Sequence, residues 1–228
     1  MFAPKEYRVK KMLDYLEDKY GEKFVEEQFD PGNVLMPELY GGDSMLVYPT
    51  INRDIPFHVN KNVKSSGFND NYVHASLCYL FTEKYKSGVE SIDERVKAVK
   101  FRFGTKVYPE DPSILKQPID DFANDKSNES DIHLYLVVST DDVQEYKKDA
   151  KFIHDLHSFM LNLTHREFEI SVAYIKQDKI QSAKDLIRIS HTTNFSWDWL
   201  GDDVIHVIDI ISDRTIRDVE YFEDLVRG

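Results

Sequence analysis

The spacing of apolar residues along the chain predicts a succession of helices and strands. In the segment KEYRVKKMLDYLEDKY, residues 5–20, the apolar residues Val9, Leu13 and Leu16 recur at intervals of three and four, which is typical of an amphipathic helix. Gly21 follows directly and suits the position just after a helix end. We therefore expect the chain to begin with a helix that has one buried face.

The stretch GFNDNYVHASLCYLF, residues 67–81, combines polar residues, a histidine and the single cysteine of the chain, and it predicts the start of a second helix. Asp70 or Asn69 is a good N-cap, because its side-chain oxygen can accept a bond from a free backbone N–H. The apolar residues that follow place this helix at about 71–88. Cys78 lies among them and is expected to be a small buried hydrophobe.

Alternation of apolar and polar residues predicts strands in both halves of the chain. In the first half the strand segments are EKFVEEQF, MLVYPT, PFHVN and VKAVKFRFGTKVY, the last spanning residues 96–108. In the second half they are IHLYLVVST, REFEISVAYIKQ and VIHVIDIIS. Further helices are expected from Asp141 to about residue 164, in the segment KIQSAKDLIRIS, and from Asp213 to the C-terminus.

Together these elements predict an α+β protein with two lobes of the helix–strand–strand–helix type. Each lobe is expected to have a mixed or antiparallel sheet with helices packed on it. The first lobe is expected over residues 1–108 and the second, of α/β type, over residues 131–228. Residues 109–130 carry three prolines and many polar side chains, which indicates a linker or a long loop. The sequence leaves open whether the two lobes share one sheet.

Composition and charge narrow the classes of function. The 228 residues are 41% hydrophobic and 31% charged, and the net charge is −12. The hydrophobic fraction predicts a folded core, while an acidic chain repels phosphate backbones and anionic membranes. We therefore expect no nucleic-acid partner. One cysteine rules out a disulfide within the chain, and the common nucleotide, serine-hydrolase and zinc-protease motifs are absent, so no cofactor is expected.

Two groups of residues resemble catalytic or metal-binding sites. Cys78 lies four residues after His74, but no further spacing supports a catalytic pair, and a buried thiol is the favoured interpretation. The segment HDLH places His154 and His157 three residues apart, without the additional ligand of a known zinc motif. Helical periodicity places His157 at the edge of the buried stripe and His154 towards solvent. The sequence therefore assigns no catalytic residue and no metal ligand.

The segment NFSWDWLGDD, residues 194–203, holds both tryptophans of the chain. Aromatic residues in a loop form either a binding platform or plugs that seal the lobe beneath them, and the plug is the favoured interpretation here. If the chain has a binding surface, the expected binding residues are Phe195, Trp197 and Trp199.

Four segments carry a resemblance that covers most of the chain in layout. They are MLDYLEDKYGEKF, FNDNYV at a helix start, IHLYLVVSTDDVQEYKKDAKFIHDLHSFM, and IKQDKI. In these segments the chain is similar to small uncharacterised Gram-positive bacterial (Firmicutes) proteins, which are predicted lipoproteins of unknown function. The resemblance implies a signal sequence and a lipid-modified cysteine, neither of which this chain contains. It implies an extracytoplasmic, membrane-anchored setting and assigns no catalytic residue.

Three hypotheses of function follow. The first is a non-enzymatic, lipid-anchored binding or interaction protein at the cell surface, with an unknown protein partner and an anchor that lies outside this chain. The second is a cytoplasmic acidic inhibitor, such as an immunity protein or a nucleic-acid mimic, which a contiguous acidic face would favour. The third is a small hydrolase that uses Cys78 or the histidines, and a Cys78 sealed in the core would argue against it.

Overall fold

The computed structural model describes residues 3–32, 42–105, 107–125, 127, 130–142, 144–190, 192 and 196–227. The chain folds into two compact units that alternate along the sequence. The first unit comprises Met1–Ser76 and Tyr108–Lys116, and the second comprises Leu77–Val107 and Gln117–Gly228. Within the described part of the chain, no helix has the length and apolar content that a membrane crossing requires.

Among its described residues, the first unit contains one complete helix, the start of a second helix and a four-stranded antiparallel sheet. The elements are α1 (Lys5–Tyr20), β1 (Phe24–Asp30), β2 (Ser44–Pro49), β3 (Phe57–Lys61) and β4 (Phe68–Asp70). The strands lie in the order β1-β2-β3-β4, and every neighbouring pair is antiparallel. Of the predicted apolar stripe of α1, Val9 and Leu16 are buried and Leu13 is partly buried, and Met12 beside them is buried as well. Gly21 ends the helix in the left-handed conformation and donates its N–H to the carbonyl of Glu17.

A long helix, α2 (Tyr72–Glu90), follows β4 and confirms the second predicted helix. Asn71 lies at the N-cap position, since its carbonyl accepts the first bond of the helix from Ala75, so neither predicted residue is the N-cap. Asp70 still stabilises the helix start, because its Oδ1 accepts the backbone N–H of Tyr72 at 3.1 Å. The boundary between the two units falls inside α2, after Ser76. Sequence alone had left either Asp70 or Asn69 as the cap.

The second unit contains a mixed four-stranded sheet and five α-helices among its described residues. Its remaining elements are β5 (Val96–Thr105), α3 (Ile119–Asn124), β6 (Ser130–Ser139), α4 (Ala150–Leu163), β7 (Phe168–Ile175), α5 (Ile180–Arg188), β8 (Val204–Ser212) and α6 (Val219–Arg227). The strand order is β5-β6-β7-β8. Strands β6 and β7 are parallel, and the other two pairs are antiparallel. The α+β class is therefore confirmed, and the described strands form two separate sheets.

The two faces of the second sheet differ in what covers them. On one face the alternating apolar residues Ile132 and Leu134 of β6 and Ile170 and Val172 of β7 are fully buried, and α4 packs against α6. On the other face, a smaller apolar cluster joins β6 and β7 to α5 and to Trp197. This cluster comprises Val137, Ala173, Ile175, Ala183, Leu186, Ile187 and Trp197.

The position of β5 differs from the predicted lobe boundary. The sequence placed residues 96–108 in the first lobe and residues 109–130 in a linker. In the structure β5 pairs with β6 along nine residue positions, because its apolar residues Phe101 and Phe103 belong to the core of the second unit. The segment between β5 and β6 contributes Tyr108–Lys116 to the first unit.

Two predicted helix starts are wrong. Asp141 was expected to begin a helix, but α4 starts at Ala150, after a 3-10 turn at Glu145–Lys148. Asp213 was expected to cap the last helix. Its Oδ1 instead accepts the N–H of Thr215 in a local turn. Asp218 is the residue next to α6, and it accepts the N–H of Tyr221. Aspartates stabilise turns and helix starts by the same type of bond, so spacing alone did not separate the two.

Candidate functional site

Polar side chains occupy the part of the second sheet that α5 and Trp197 leave exposed. We call this surface the open sheet face and define it by six residues, two from each of three neighbouring strands: His133 and Tyr135, Glu169 and Ser171, Asp209 and Ile211. The strand register brings them together, because His133 lies opposite Glu169 and Glu169 lies opposite Ile211. A cleft of about 460 Å³ lies over this surface. Ile211 is 83% exposed within it.

Asp131, His133 and Glu169 form the densest group of ionisable side chains at this face. Asp131 precedes His133 by two residues on β6, so both side chains point to the same side of the sheet. The Nε2 atom of His133 lies 3.0 Å from Oδ2 of Asp131, and its Nδ1 atom lies 3.0 Å from Oε2 of Glu169. The side chain of His133 is 15% exposed, whereas the two carboxylates are 41% and 43% exposed. The imidazole is therefore enclosed between two carboxylates that solvent reaches.

The close approach of Asp131 to His133 depends on a glycine on the neighbouring strand. Gly104 of β5 lies opposite Asp131. A Cβ atom at residue 104 would lie 2.0 Å from Oδ1 of Asp131 and 2.8 Å from Nε2 of His133. Any side chain at this position would therefore displace the aspartate or the imidazole.

Arg102 and Tyr135 border this group. The imidazole of His133 is the main cause that lowers the pKa of Asp131, and the positive charge of Arg102 adds to that effect. Burial raises the pKa of Tyr135, while a hydrogen bond with Arg102 acts in the opposite direction. Asp131 is therefore an anion at neutral pH, and Tyr135 keeps its proton.

Ser171 links the other end of the open sheet face to the tryptophan turn. Its hydroxyl donates to Oδ1 of Asp209 at 2.5 Å and accepts from Nε1 of Trp197 at 2.9 Å. Both bonds fix the orientation of the hydroxyl, so Ser171 connects β7, β8 and the turn that carries Trp197. This linkage gives the cleft a defined wall.

The predicted binding residues lie in different environments. Trp197 and Trp199 belong to a 3-10 turn at Trp197–Asp203. Trp197 is 7% exposed and lines the cleft over the open sheet face while it packs on the apolar cluster beneath. Trp199 is 59% exposed. Phe195 lies outside the described residues. Trp197 therefore seals the apolar cluster beneath the turn, as the favoured interpretation of the sequence expected, and its indole also forms part of the cleft wall.

The cysteine and the helical histidines occupy structural positions. Cys78 is fully buried, and its Sγ accepts the backbone N–H of Phe103 at 3.4 Å. His157 is buried, with Nε2 3.1 Å from the hydroxyl of Ser212. His154 is half-buried and contacts Asp155 through Nδ1 at 3.1 Å. Each of these side chains has a contact that accounts for its place in the fold.

Sequence reasoning missed the open sheet face, although a signal was present. The buried residues of β6, β7 and β8 identify the strands, and the residues between them carry the signal of the open sheet face. Those residues read Asp131, His133 and Tyr135 on β6, followed by Glu169 and Ser171 on β7. Polar residues at every second position mark a shared face. The parallel register that brings β6 and β7 together was not evident from the sequence.

Comparison with known proteins gives a likeness of fold only. No protein-family model matches the chain, and no curated protein matches it. Among solved structures, the chain is similar to a DUF5037 family protein from Ruminococcus gnavus, with a TM-score of 0.52 and 13% sequence identity. The match covers 96% of this chain and 98% of that chain. The fold is therefore shared with an uncharacterised protein of a Firmicute, which agrees with that part of the resemblance found in the sequence.

Proposed function

We propose that this protein is a non-enzymatic binding protein, held at the outer side of the cell membrane by a lipid anchor, and that it binds a protein partner through the open sheet face. The observation that carries the proposal is the incomplete cover of the second sheet. One face of the sheet is buried, whereas the other is covered only in part, by α5 and Trp197, and presents charged, hydroxyl and apolar side chains beside a cleft. An exposed concave surface with a few convergent polar groups is the usual form of a binding site.

The composition of the open sheet face favours a partner with a basic segment. Glu169 and Asp209 supply carboxylates, and Asp198 lines the same cleft. The exposed Ile211, on the edge strand β8, supplies an apolar contact beside these carboxylates. Interfaces commonly combine apolar and charged contacts, and negative charge steers a positive partner towards the surface.

Photo-crosslinking in cells of the source organism tests the binding surface. A benzophenone amino acid replaces Ile211 in one variant and Ile51 in another, because both positions are strongly exposed and Ile51 belongs to the first unit. We expect Ile211 to give one discrete adduct, and the added change Asp209→Lys to weaken it. Equal adducts from both positions, or none from position 211, would contradict the proposal.

A second experiment tests the setting. The full gene is expressed in its native host with a labelled fatty acid, and the product is followed through membrane fractionation. We expect the product to take up the label and to remain with the membrane fraction. An unlabelled product in the cytoplasmic fraction would contradict the extracytoplasmic setting, and it would leave the binding surface to be judged by crosslinking alone.

A further inference from the structure

Asp131, His133 and Glu169 bring one imidazole and two carboxylates together, with ligand atoms within 4.8 Å of one another. We propose that this cluster binds a divalent first-row transition-metal ion, with Nε2 of His133 and the carboxylate of Asp131 as direct ligands and Glu169 orienting the ring. Imidazole with carboxylate oxygen suits ions such as Zn²⁺. Mg²⁺ and Ca²⁺ bind oxygen ligands and have little use for the nitrogen.

The two nitrogens of His133 differ in their contacts. Nδ1 lies 3.0 Å from Oε2 of Glu169 and 3.4 Å from the hydroxyl of Tyr135. Nε2 is buried, and among the described residues it makes no hydrogen bond of acceptable angle, although Oδ2 of Asp131 is 3.0 Å away. Nε2 of His133 and Oδ2 of Asp131 are therefore close together without forming a well-aligned hydrogen bond. This is the arrangement expected of two ligand atoms that both point at one ion. Glu169 occupies the place of the carboxylate that commonly accepts the second N–H of a metal-bound histidine.

The distances and the free space fit an ion at this position. Ligands bound at about 2.0–2.2 Å from a common ion are separated by at most about 4.4 Å, and the 3.0 Å between Nε2 and Oδ2 satisfies this limit. Gly104 keeps the strand beside these atoms free of a side chain, since a Cβ there would lie within 2.8 Å of both residues. The glycine thus preserves the space that two converging ligands require.

The charges around the cluster also favour a cation. The carboxylates of Asp131, Glu169 and Asp209 outnumber the positive charge of Arg102 on the neighbouring strand. The positive charge of Arg102 acts on Tyr135 as well as on Asp131. It still competes with an ion for Asp131. The change Arg102→Met keeps the aliphatic stem and removes this charge, and it should therefore strengthen metal binding.

An ion with two protein ligands keeps coordination positions open towards the cleft. A carboxylate or imidazole of the partner can fill such a position, which would make binding at the open sheet face dependent on metal. This last step rests on the proposed function, whereas the ion site itself does not. Metal binding is therefore measured first on the protein alone.

Calorimetric titration of the chelator-treated full chain with ZnCl₂ tests the site, together with NMR spectra of ¹⁵N-labelled histidine rings. We expect one ion per chain and a large shift of the Nε2 resonance of His133. The changes His133→Gln and Asp131→Asn should abolish binding, and Glu169→Gln should weaken it by about 10–100-fold. The matched control His154→Gln, at a histidine of α4 outside the open sheet face, should bind as the wild type does.

Several results would overturn the site. They are the absence of binding heat, unchanged zinc affinity in His133→Gln, or a shift at another histidine only. Circular dichroism establishes that each variant is folded, and Arg102→Met supplies a variant expected to gain affinity instead of losing it. Crosslinking at Ile211 with and without chelator separates the two proposals. An adduct that forms although zinc does not bind would overturn the metal site and leave the proposed function standing.

Discussion

At the scale of single residues, Cys78 illustrates how burial determines chemical behaviour. Its thiol is fully buried and accepts the N–H of Phe103. We expect no reaction with a thiol reagent in the native protein and complete reaction after denaturation. The change Cys78→Ala leaves that N–H without its acceptor and should lower the free energy of unfolding by about 1–3 kcal/mol. Urea denaturation measures the loss, and rapid labelling of the native thiol would contradict the buried position.

Asp70 is a second residue whose removal should have a large effect. Its carboxylate accepts the backbone N–H of Tyr72 at the start of α2, and it also accepts from Tyr15, Lys19 and Tyr20 at 2.5–2.8 Å. Burial alone would raise the pKa of Asp70, but these bonds outweigh burial and lower it. We expect Asp70→Asn to reduce the free energy of unfolding by about 1.5–3 kcal/mol, the range for hydrogen bonds to a charged group.

The pH dependence provides a separate check on Asp70. A carboxylate with a lowered pKa stabilises the fold above its unfolded value, about 3.9, and this contribution disappears as the pH falls through the folded value. The wild type should therefore lose more stability than Asp70→Asn in that acidic range. Denaturation curves measured at several pH values compare the two proteins, and parallel losses would contradict the assigned role.

His157 makes the fold sensitive to mild acid. Its ring lies between Phe168 and Phe222, with centroid distances of 5.4 Å to each. Burial is the main cause that lowers the pKa of His157, and the positive charges of His154 and Arg217 add to it.

The sign of the effect of His157 on stability follows from proton uptake. The unfolded chain binds a proton below about pH 6.5, whereas the folded ring stays neutral until a lower pH. Stability should therefore fall as the pH drops below 6.5, and His157→Gln should show a shallower fall between pH 7 and 5. Thermal melts across that range measure the slopes. Equal slopes in both proteins would exclude His157 as a source of the sensitivity.

At the scale of elements, the two tryptophans of one short turn should behave differently. Trp197 is buried in the apolar cluster and donates to Ser171, whereas Trp199 is exposed. We expect Trp197→Ala to cost about 3–5 kcal/mol of unfolding free energy and Trp199→Ala less than about 0.5 kcal/mol. Chemical denaturation of both variants measures this difference. Similar losses at the two positions would contradict the described packing of the turn.

Most helices and strands were evident in the sequence, because the spacing of their apolar residues follows the face that is buried. Strand β8 was predicted at its observed bounds, and α2 was predicted to within two residues at its C-terminal end, since long apolar patterns leave few alternatives. Strand β4 was missed, because Phe68–Asp70 has only three residues, which is too short to show an alternation of apolar and polar positions. The turn at Trp197–Asp203 was also missed, because its form depends on Gly201 at φ 53° and on tertiary packing.

The candidate site was less predictable than the elements that build it. Its residues come from separate strands, and what unites them is the pairing of His133 with Glu169 across a parallel ladder. A shift of one residue in that pairing would send Glu169 to the opposite face of the sheet. Local sequence patterns specify which residues share a side of one strand. They do not specify which strands become neighbours.

At the scale of the whole molecule, each of the two units is built from two separate segments of the chain. The stability of chain fragments should therefore depend on which segments they contain. A fragment of residues 131–228 lacks β5, so it loses Phe101 and Phe103 from its core and leaves one edge of β6 without its partner strand. We expect it to be unfolded or aggregated. A fragment of residues 72–228 retains α2 and all four strands and should fold. Circular dichroism and gel filtration distinguish these outcomes, and a cooperatively folded 131–228 fragment would support the lobe boundary expected from the sequence.

The strand order within each sheet has a consequence for synthesis on the ribosome. In both sheets the spatial order equals the order of translation, β1 to β4 and β5 to β8. Each emerging strand therefore adds to the free edge left by the strand before it, and none has to insert between two others. Because each sheet grows in one direction, a strand edge stays unpaired only until the next strand emerges. Unpaired strand edges are sites at which nascent chains aggregate. We therefore expect each sheet to grow strand by strand as the chain emerges, with β8 as the last strand to join the second sheet.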